Sequence, residues 1–232
     1  GKEVTLIEGT KQILAPYDYD MVQILHKELD DNGITLHVSA TVTAIESKQV
    51  KAVKDGKEFT VAADAVVMAV GARPKTELAK DAGLEIGTTG GIWVDHNYRT
   101  SDADIYAVGD AIESYNMLAH APGRIALAGP TQRQARAAAD HICGMYNTNK
   151  GYIGSSCIKV FGQNAACTGL NEREAKRLGY SYDSVMIFPM DRVGLMPGAN
   201  YMVFKLVFEI PTGRILGAQA IGTGECDKRV DV

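Results

Sequence analysis

Two stretches of this 232-residue sequence combine residue types and spacing that could do chemistry. The more informative is Thr100-Ser101-Asp102-Ala103-Asp104-Ile105-Tyr106-Ala107-Val108-Gly109-Asp110. Ile105 to Val108 reads as a short buried strand that delivers Asp110 at its carboxyl end, where α/β sheets bind ligands. Gly109 lets backbone approach a ligand with no Cβ in the way. A carboxylate there can accept hydrogen bonds from sugar or polyol hydroxyls. The second stretch is Lys2 to Glu8, a β-branched strand that ends in an acid.

Other candidates fail on spacing. Cys143, Cys157, Cys167 and Cys226 form no C-x-x-C or C-x-x-H pair, which argues against zinc and thioredoxin-like chemistry. The expectation is reduced, mostly buried thiols. His26, His37, His96, His120 and His141 show no ligand spacing either. Ile215 to Ile221 followed by Gly222-Thr223-Gly224 imitates a strand feeding a dinucleotide fingerprint. The third glycine position is Asp227, however, whose carboxylate would oppose a pyrophosphate, so Gly222 and Gly224 read as a turn before a helix.

The elements that must position these residues are of two kinds. The first 90 or so residues predict a strand (2–8), a helix from Asp18 or Asp20 to Asp31 and a strand at 34–38. Met21, Ile24, Leu25 and Leu29 share one face of that helix, and Asn32-Gly33 stops it. A small antiparallel meander follows over 41–46, 49–53 and 58–61, with Asp55-Gly56 as a type I′ hairpin turn. The apolar run Ala65 to Val70 predicts a parallel strand buried on both faces. Pro130 suits the first turn of a helix to about Met145. Asn147 to Gly151 reads as a polar linker. Beyond it, strands at 157–161, 164–169, 182–190, 201–209 and 214–221, with a helix capped by Asn171, suggest an α+β domain.

Composition sets the outer limits. With 46% hydrophobic and 22% charged residues the chain can bury a core. A net charge of −4 gives no basic footprint for nucleic acid, and no apolar run approaches roughly the 18 residues of a membrane span. Cytoplasm is the default location. The sequence starts at Gly1 inside a strand pattern and stops at Asp227-Lys228-Arg229-Val230-Asp231-Val232, which reads as the opening of a helix; the expectation is a piece of a longer protein.

The eleven residues ending at Asp110 resemble the second flavin-binding signature of the pyridine nucleotide-disulfide oxidoreductase family. Ala69-Val70-Gly71-Ala72-Arg73-Pro74 is similar to that family's "VG-x-RP" strand end, and Ile125 to Pro130 leading into Arg133-Gln134-Ala135-Arg136 is similar to the loop and helix that follow. Met196-Pro197-Gly198-Ala199, Phe204 to Phe208 and Arg214 to Gln219 resemble its dimerisation domain. The likeness is nearest the coenzyme A-disulfide reductase, NADH oxidase and NADH peroxidase branch, with the 227–231 ending leaning toward the first.

The resemblance implies an α/β fold of FAD/NAD(P)-binding, glutathione-reductase-like sheet domains, truncated, followed by an α+β dimerisation domain. It implies an NAD-binding part with a β-meander at 1–94, a returning FAD-binding segment at 95–150 and an incomplete dimerisation domain at 151–232. Glu8 would bind the adenosine ribose hydroxyls and repel a 2′-phosphate, favouring NADH, with Lys11 pulling the other way. Tyr17 would lie near the dinucleotide and Gly71 near the nicotinamide end. Gly109 and Asp110 would hold the ribityl-pyrophosphate region of FAD. Leu127, Ala128 and the helix start through Gln132 would approach the isoalloxazine, where a helix N-terminus favours the negative charge of reduced flavin.

The implied reaction passes hydride from NAD(P)H through FAD to a disulfide, peroxide or oxygen, in a homodimer that takes a small-molecule substrate. No G-x-G-x-x-G occurs in the sequence, and no cysteine present has the context of the family's redox cysteine, so no catalytic residue is assigned. The chain alone is expected to be inactive and to bind FAD poorly. Two other readings stay open: a noncatalytic nucleotide-binding or dimerisation module, and a ferredoxin or nitrite reductase component of the same fold.

Overall fold

A computed structural model describes residues 2–145 and 149–231. Asn147 and Thr148 of the expected linker lie outside the described residues. By contacts the chain divides into two units, residues 1–69 with 155–232, and residues 70–154.

The first unit opens with β1 (Val4–Ile7), α1 (Tyr19–Asp31) and β2 (Ile34–His37). β1 and β2 pair in parallel, with Leu6 opposite Leu36. Met21, Val22, Leu25 and Leu29 are the buried residues of α1. The helix ends where the Asn32 side chain donates to the Glu28 carbonyl at 2.8 Å. Then β3 (Ala40–Ile45), β4 (Gln49–Lys54) and β5 (Lys57–Ala62) form the antiparallel meander. The hairpin between β4 and β5 turns on Asp55 (φ +50°) and Gly56 (φ +74°), the two left-handed residues a type I′ turn requires.

The second unit carries α2 (Glu77–Asp81), the short pair β6 (Ser114–Asn116) and β7 (Ala121–Gly123), and α3 (Ala128–Ile142). Its core gathers Tyr98, Ile112, Ala137 and Ala138. The helix expected to reach Met145 stops at Ile142, and Pro130 sits in its first turn.

The remainder of the first unit is β8 (Ser155–Val160), β9 (Gln163–Gly169), α4 (Glu172–Arg177), β10 (Tyr182–Ile187), β11 (Met202–Glu209), β12 (Ile215–Gly222) and α5 (Asp227–Asp231). Its five strands make one antiparallel sheet in the order β10-β11-β12-β9-β8. Asn171 caps α4 by accepting from the Glu174 N–H at 2.9 Å. The period-2 alternation of β9 and β12 sends side chains to both faces. Ala165, Cys167 and Ile221 meet α1, while Ala166 and Ala220 meet Met202, Cys226 and Val230. Gly222 is the last paired residue of β12, and Gly224 lies in the bend before α5, where a Cβ would come 2.1 Å from Asp191 Oδ2.

Three expectations are corrected. Residues 65–70 form no strand and are exposed, with Val67 90% accessible. An apolar run becomes a buried parallel strand only where a neighbour offers ladder bonds and both faces are covered; among the described residues the parallel pair is β1 with β2, and residues 65–70 have no strand partner. Ile105 to Val108 likewise forms only an isolated bridge, Tyr106 to Arg99, and Ile105 is exposed. Of the thiols, Cys167 and Cys226 are buried but Cys143 and Cys157 are exposed. Among the described residues no helix is long and apolar enough to cross a membrane, and no cluster of His, Cys, Asp or Glu could hold a metal ion.

Candidate functional site

Glu8 follows directly on β1, and its N–H donates to the His37 carbonyl at 2.8 Å, so the acid sits at the carboxyl end of a parallel pair. Its Oε1 accepts from both the N–H and the hydroxyl of Thr10, at 2.7 and 2.8 Å. Those bonds hold the carboxylate through one oxygen. Among the described residues none bonds Oε2, which stays available to a hydroxyl donor. Beyond Glu8, residues 9–12 and 17–18 border an open cleft of about 860 Å³, lined also by Asp20, Arg173 and Lys205 among others.

Tyr17 is almost wholly buried in the core cluster with Cys167 while also bordering this cleft. Its hydroxyl finds no hydrogen-bond partner among the described residues. Burial, then the neighbouring Cys167, push its pKa far up. Burial also raises Cys167, and raises Cys226 to about 11, so neither buried thiol is poised as a thiolate nucleophile.

The cleft contains a group that sequence reasoning missed. Lys205 on β11 is buried, and its ammonium contacts Asp20 Oδ2 at 2.7 Å, Asp18 Oδ2 at 3.3 Å and the Glu172 carboxylate. Burial alone would lower the Lys205 pKa. The bonds to Asp20 and Glu172 and the charge of Asp18 outweigh it and hold the ammonium well above the usual lysine range. Asp18 stands at the N-cap position of α1 but does not cap it with its side chain. Its carboxylate instead accepts from the Glu172 N–H at 3.0 Å and from Gln219 Nε2 at 2.7 Å. A sequence signal existed: Lys205 shares a strand face with Val203 and Val207, and a lysine in an apolar row demands acids from elsewhere.

In the second unit five expected residues come together. Gly109 and Asp110 form a 3₁₀ turn (Gly109–Ala111) seated on the first turns of α3. The Gly109 N–H donates to Gln134 Oε1 at 2.7 Å, a buried bond. Gly109 has φ +82°, and a Cβ there would lie 3.2 Å from Thr131 Cγ2. Asp110 is exposed at the surface of this turn. Leu127 occupies the N-cap of α3 without a side-chain cap bond, and Ala128 begins the helix. The first-turn N–H groups are therefore not taken by a cap and present the positive end of the helix dipole. Gln132, at the start of the second turn, is exposed. Gly71, also in this unit, is exposed with φ +86°. Gln134, which fixes the Gly-Asp turn, enters the sequence reading only as part of the Arg133-Gln134-Ala135-Arg136 helix segment.

The family model described as "Pyridine nucleotide-disulphide oxidoreductase" matches residues 1–135, and the one described as its "dimerisation domain" matches residues 155–231. The NAD(P)H sulfur oxidoreductase (CoA-dependent) of Pyrococcus furiosus is 32% identical over all of this chain and 52% of its own length. The NADH oxidase of Streptococcus pneumoniae serotype 4 is 35% identical over 95% of this chain and 48% of its own. Among solved structures, reduced CoADR-RHD of Bacillus anthracis superposes with a TM-score of 0.94 at 38% identity, covering 100% of this chain and 42% of that one. The chain spans about half the length of the curated relatives it matches.

Proposed function

The chain belongs to the pyridine nucleotide-disulphide oxidoreductase family, and from that premise we propose that it is part of an FAD-dependent oxidoreductase. The reaction takes hydride from NAD(P)H, with NADH preferred, and delivers electrons to a disulfide, peroxide or oxygen. The relatives' names, a CoA-dependent sulfur oxidoreductase and an NADH oxidase, support the sulfur and oxygen acceptors of that range. When bound, FAD supplies the two-electron relay between nicotinamide and acceptor.

This chain's residues bind and orient. Glu8 accepts hydrogen bonds from the adenosine ribose hydroxyls through the oxygen that Thr10 leaves open. The same negative charge opposes a 2′-phosphate, which favours NADH. Tyr17 packs beneath this edge, and Gly71 leaves room at the nicotinamide end. Asp110 anchors the polyol of FAD, and Gly109 keeps the turn free of a Cβ. The uncapped start of α3 at Leu127 and Ala128, with Gln132 beside it, favours negative charge on the isoalloxazine. The donor chemistry fits both cofactors: a half-committed carboxylate for hydroxyls, and free helical N–H groups for an electron-rich ring edge. We place the enzyme in the cytoplasm as a homodimer that takes a small-molecule substrate.

The observation that carries this reading is the Glu8 carboxylate, fixed through one oxygen at the end of β1. Fluorescence titration of the chain with NADH and with NADPH tests it. Wild type should bind NADH the more tightly, and Glu8→Gln should narrow the difference by about tenfold. Equal affinity of wild type for both, or a ratio unmoved by Glu8→Gln, would count against it.

A further inference from the structure

The course of residues 9–18, between the end of β1 and the start of α1, is set largely by residues far along the chain. Asn171 Nδ2 donates to the Ala15 and Pro16 carbonyls at 3.0 and 3.1 Å. Arg173 donates to the Ala15 carbonyl at 2.8 Å. The Asp18 N–H donates to Gln219 Oε1, and Gln219 Nε2 returns a bond to Asp18 Oδ2, both at 2.7 Å. Asp18 and Gln219 are buried, so neither end of this reciprocal pair has water as an alternative partner. Gln219 stands opposite Lys205 on the neighbouring strand, whose ammonium also reaches Asp18 and Asp20.

From that anchor a chain of bonds runs back to Glu8. The Tyr17 carbonyl accepts from Gln12 Nε2 at 2.9 Å. The Thr10 hydroxyl contacts the Gln12 carbonyl at 2.7 Å and Glu8 Oε1 at 2.8 Å, one proton shared between two acceptors. Midway, Leu14 holds φ +51°, a left-handed conformation that a branched side chain keeps only where its surroundings over-determine it.

We infer that Gln219 and Arg173, carried by the dimerisation-type half of the chain, are positioning residues for the nucleotide edge. They fix the course of residues 9–17 and thereby the setting of Glu8 and Thr10 against the ribose. The inference rests on the nucleotide reading given above. It ties cofactor affinity to the sheet that carries Gln219, and it assigns a purpose to a buried glutamine that the reaction itself does not use.

Amide hydrogen exchange and NADH titration on the full chain test this, using wild type, Gln219→Leu and the milder surface variant Arg173→Ala. Gln219→Leu strands the buried Asp18 N–H and leaves Asp18 Oδ2 to the Lys205 ammonium alone. Exchange across residues 9–17 should rise about tenfold while Ala165 to Cys167 in β9 changes by less than about twofold, and the NADH Kd should weaken about tenfold. Arg173→Ala should move both readouts the same way by about threefold, and it decides the matter if Gln219→Leu fails to fold. A purely structural role would raise exchange in β9 as much as in the loop and leave the affinity of folded protein alone; that outcome overturns the inference. So does a loop whose exchange rises while NADH affinity holds in both variants. A wild-type chain that binds no NADH overturns the nucleotide reading itself, and is told apart because neither substitution is involved.

Discussion

Lys205 has three carboxylates around a single buried ammonium, and the outcome of removing it follows from what stays behind. Lys205→Met leaves Asp18, nearly as buried as the lysine, without its cation. It should cost about 3 kcal/mol by denaturant titration, less to the extent that the half-exposed Asp20 turns to solvent. The pH dependence has a definite sign. The folded-state pKa lies above the ordinary value of 10.5, so the stabilisation is complete below that pH and is lost as pH rises through the higher folded value. Wild type should therefore shed stability in strong alkali along a slope that Lys205→Met lacks. The thiols make a second residue-scale prediction. Ellman's reagent at pH 8 should titrate Cys143 and Cys157 quickly in the native chain, and Cys167 and Cys226 only on unfolding. Four fast thiols would contradict the core described for β9 and α5.

At the scale of elements, the Gly109–Ala111 turn and α3 act as one piece, because the Gln134 side chain bonds the Gly109 N–H. Gly109→Ala asks alanine to hold φ +82° and presses a methyl on Thr131. It should destabilise by about 1–2 kcal/mol, read as a lowered thermal midpoint, while Gly129→Ala, with open space at its Cβ, should not. Which elements the sequence disclosed follows from where their stability originates. α1, the meander and the antiparallel sheet carry their own signals: a 3.6-residue apolar stripe, an Asp-Gly turn, alternating strands. The stretches at 65–70 and 105–108 are apolar enough to be strands, but strand formation there depends on neighbours that composition cannot supply. Glu8 could be placed at the end of β1 because a strand followed by an acid is a local feature, whereas Gly109 and Asp110 lie in a 3₁₀ turn and not at the end of the strand expected before them. Gln134, Gln219 and Lys205 act across 25 to 201 residues of sequence separation, and only folding reveals their partners.

At the scale of the whole molecule, the chain joins a nucleotide-type β-α-β start to a five-stranded sheet through the apolar face of α1. The last stretch matches a dimerisation domain, and the loop after β10 leaves Val193, Leu195 and Met196 exposed. That loop is well anchored rather than loose: buried Asp191 accepts from the Asn200 and Glu225 N–H groups at 2.8 and 3.1 Å. Exposed apolar groups on a fixed support suit an interface. Sedimentation equilibrium should give twice the monomer mass for wild type and shift toward monomer in Leu195→Glu; a monomeric wild type would contradict the homodimer.

The most direct test of the account is a residue-resolved amide-shift map of the ¹⁵N-labelled chain, titrated separately with NADH and with FAD. Weak binding is sufficient for this measurement. The two cofactors should move different places: NADH the backbone from Glu8 to Lys11, FAD that of Gly109, Asp110 and residues 128–132. Shifts confined to the β8–β12 sheet, or no saturable shift at either set, would contradict the claim that this chain carries an edge of each cofactor site.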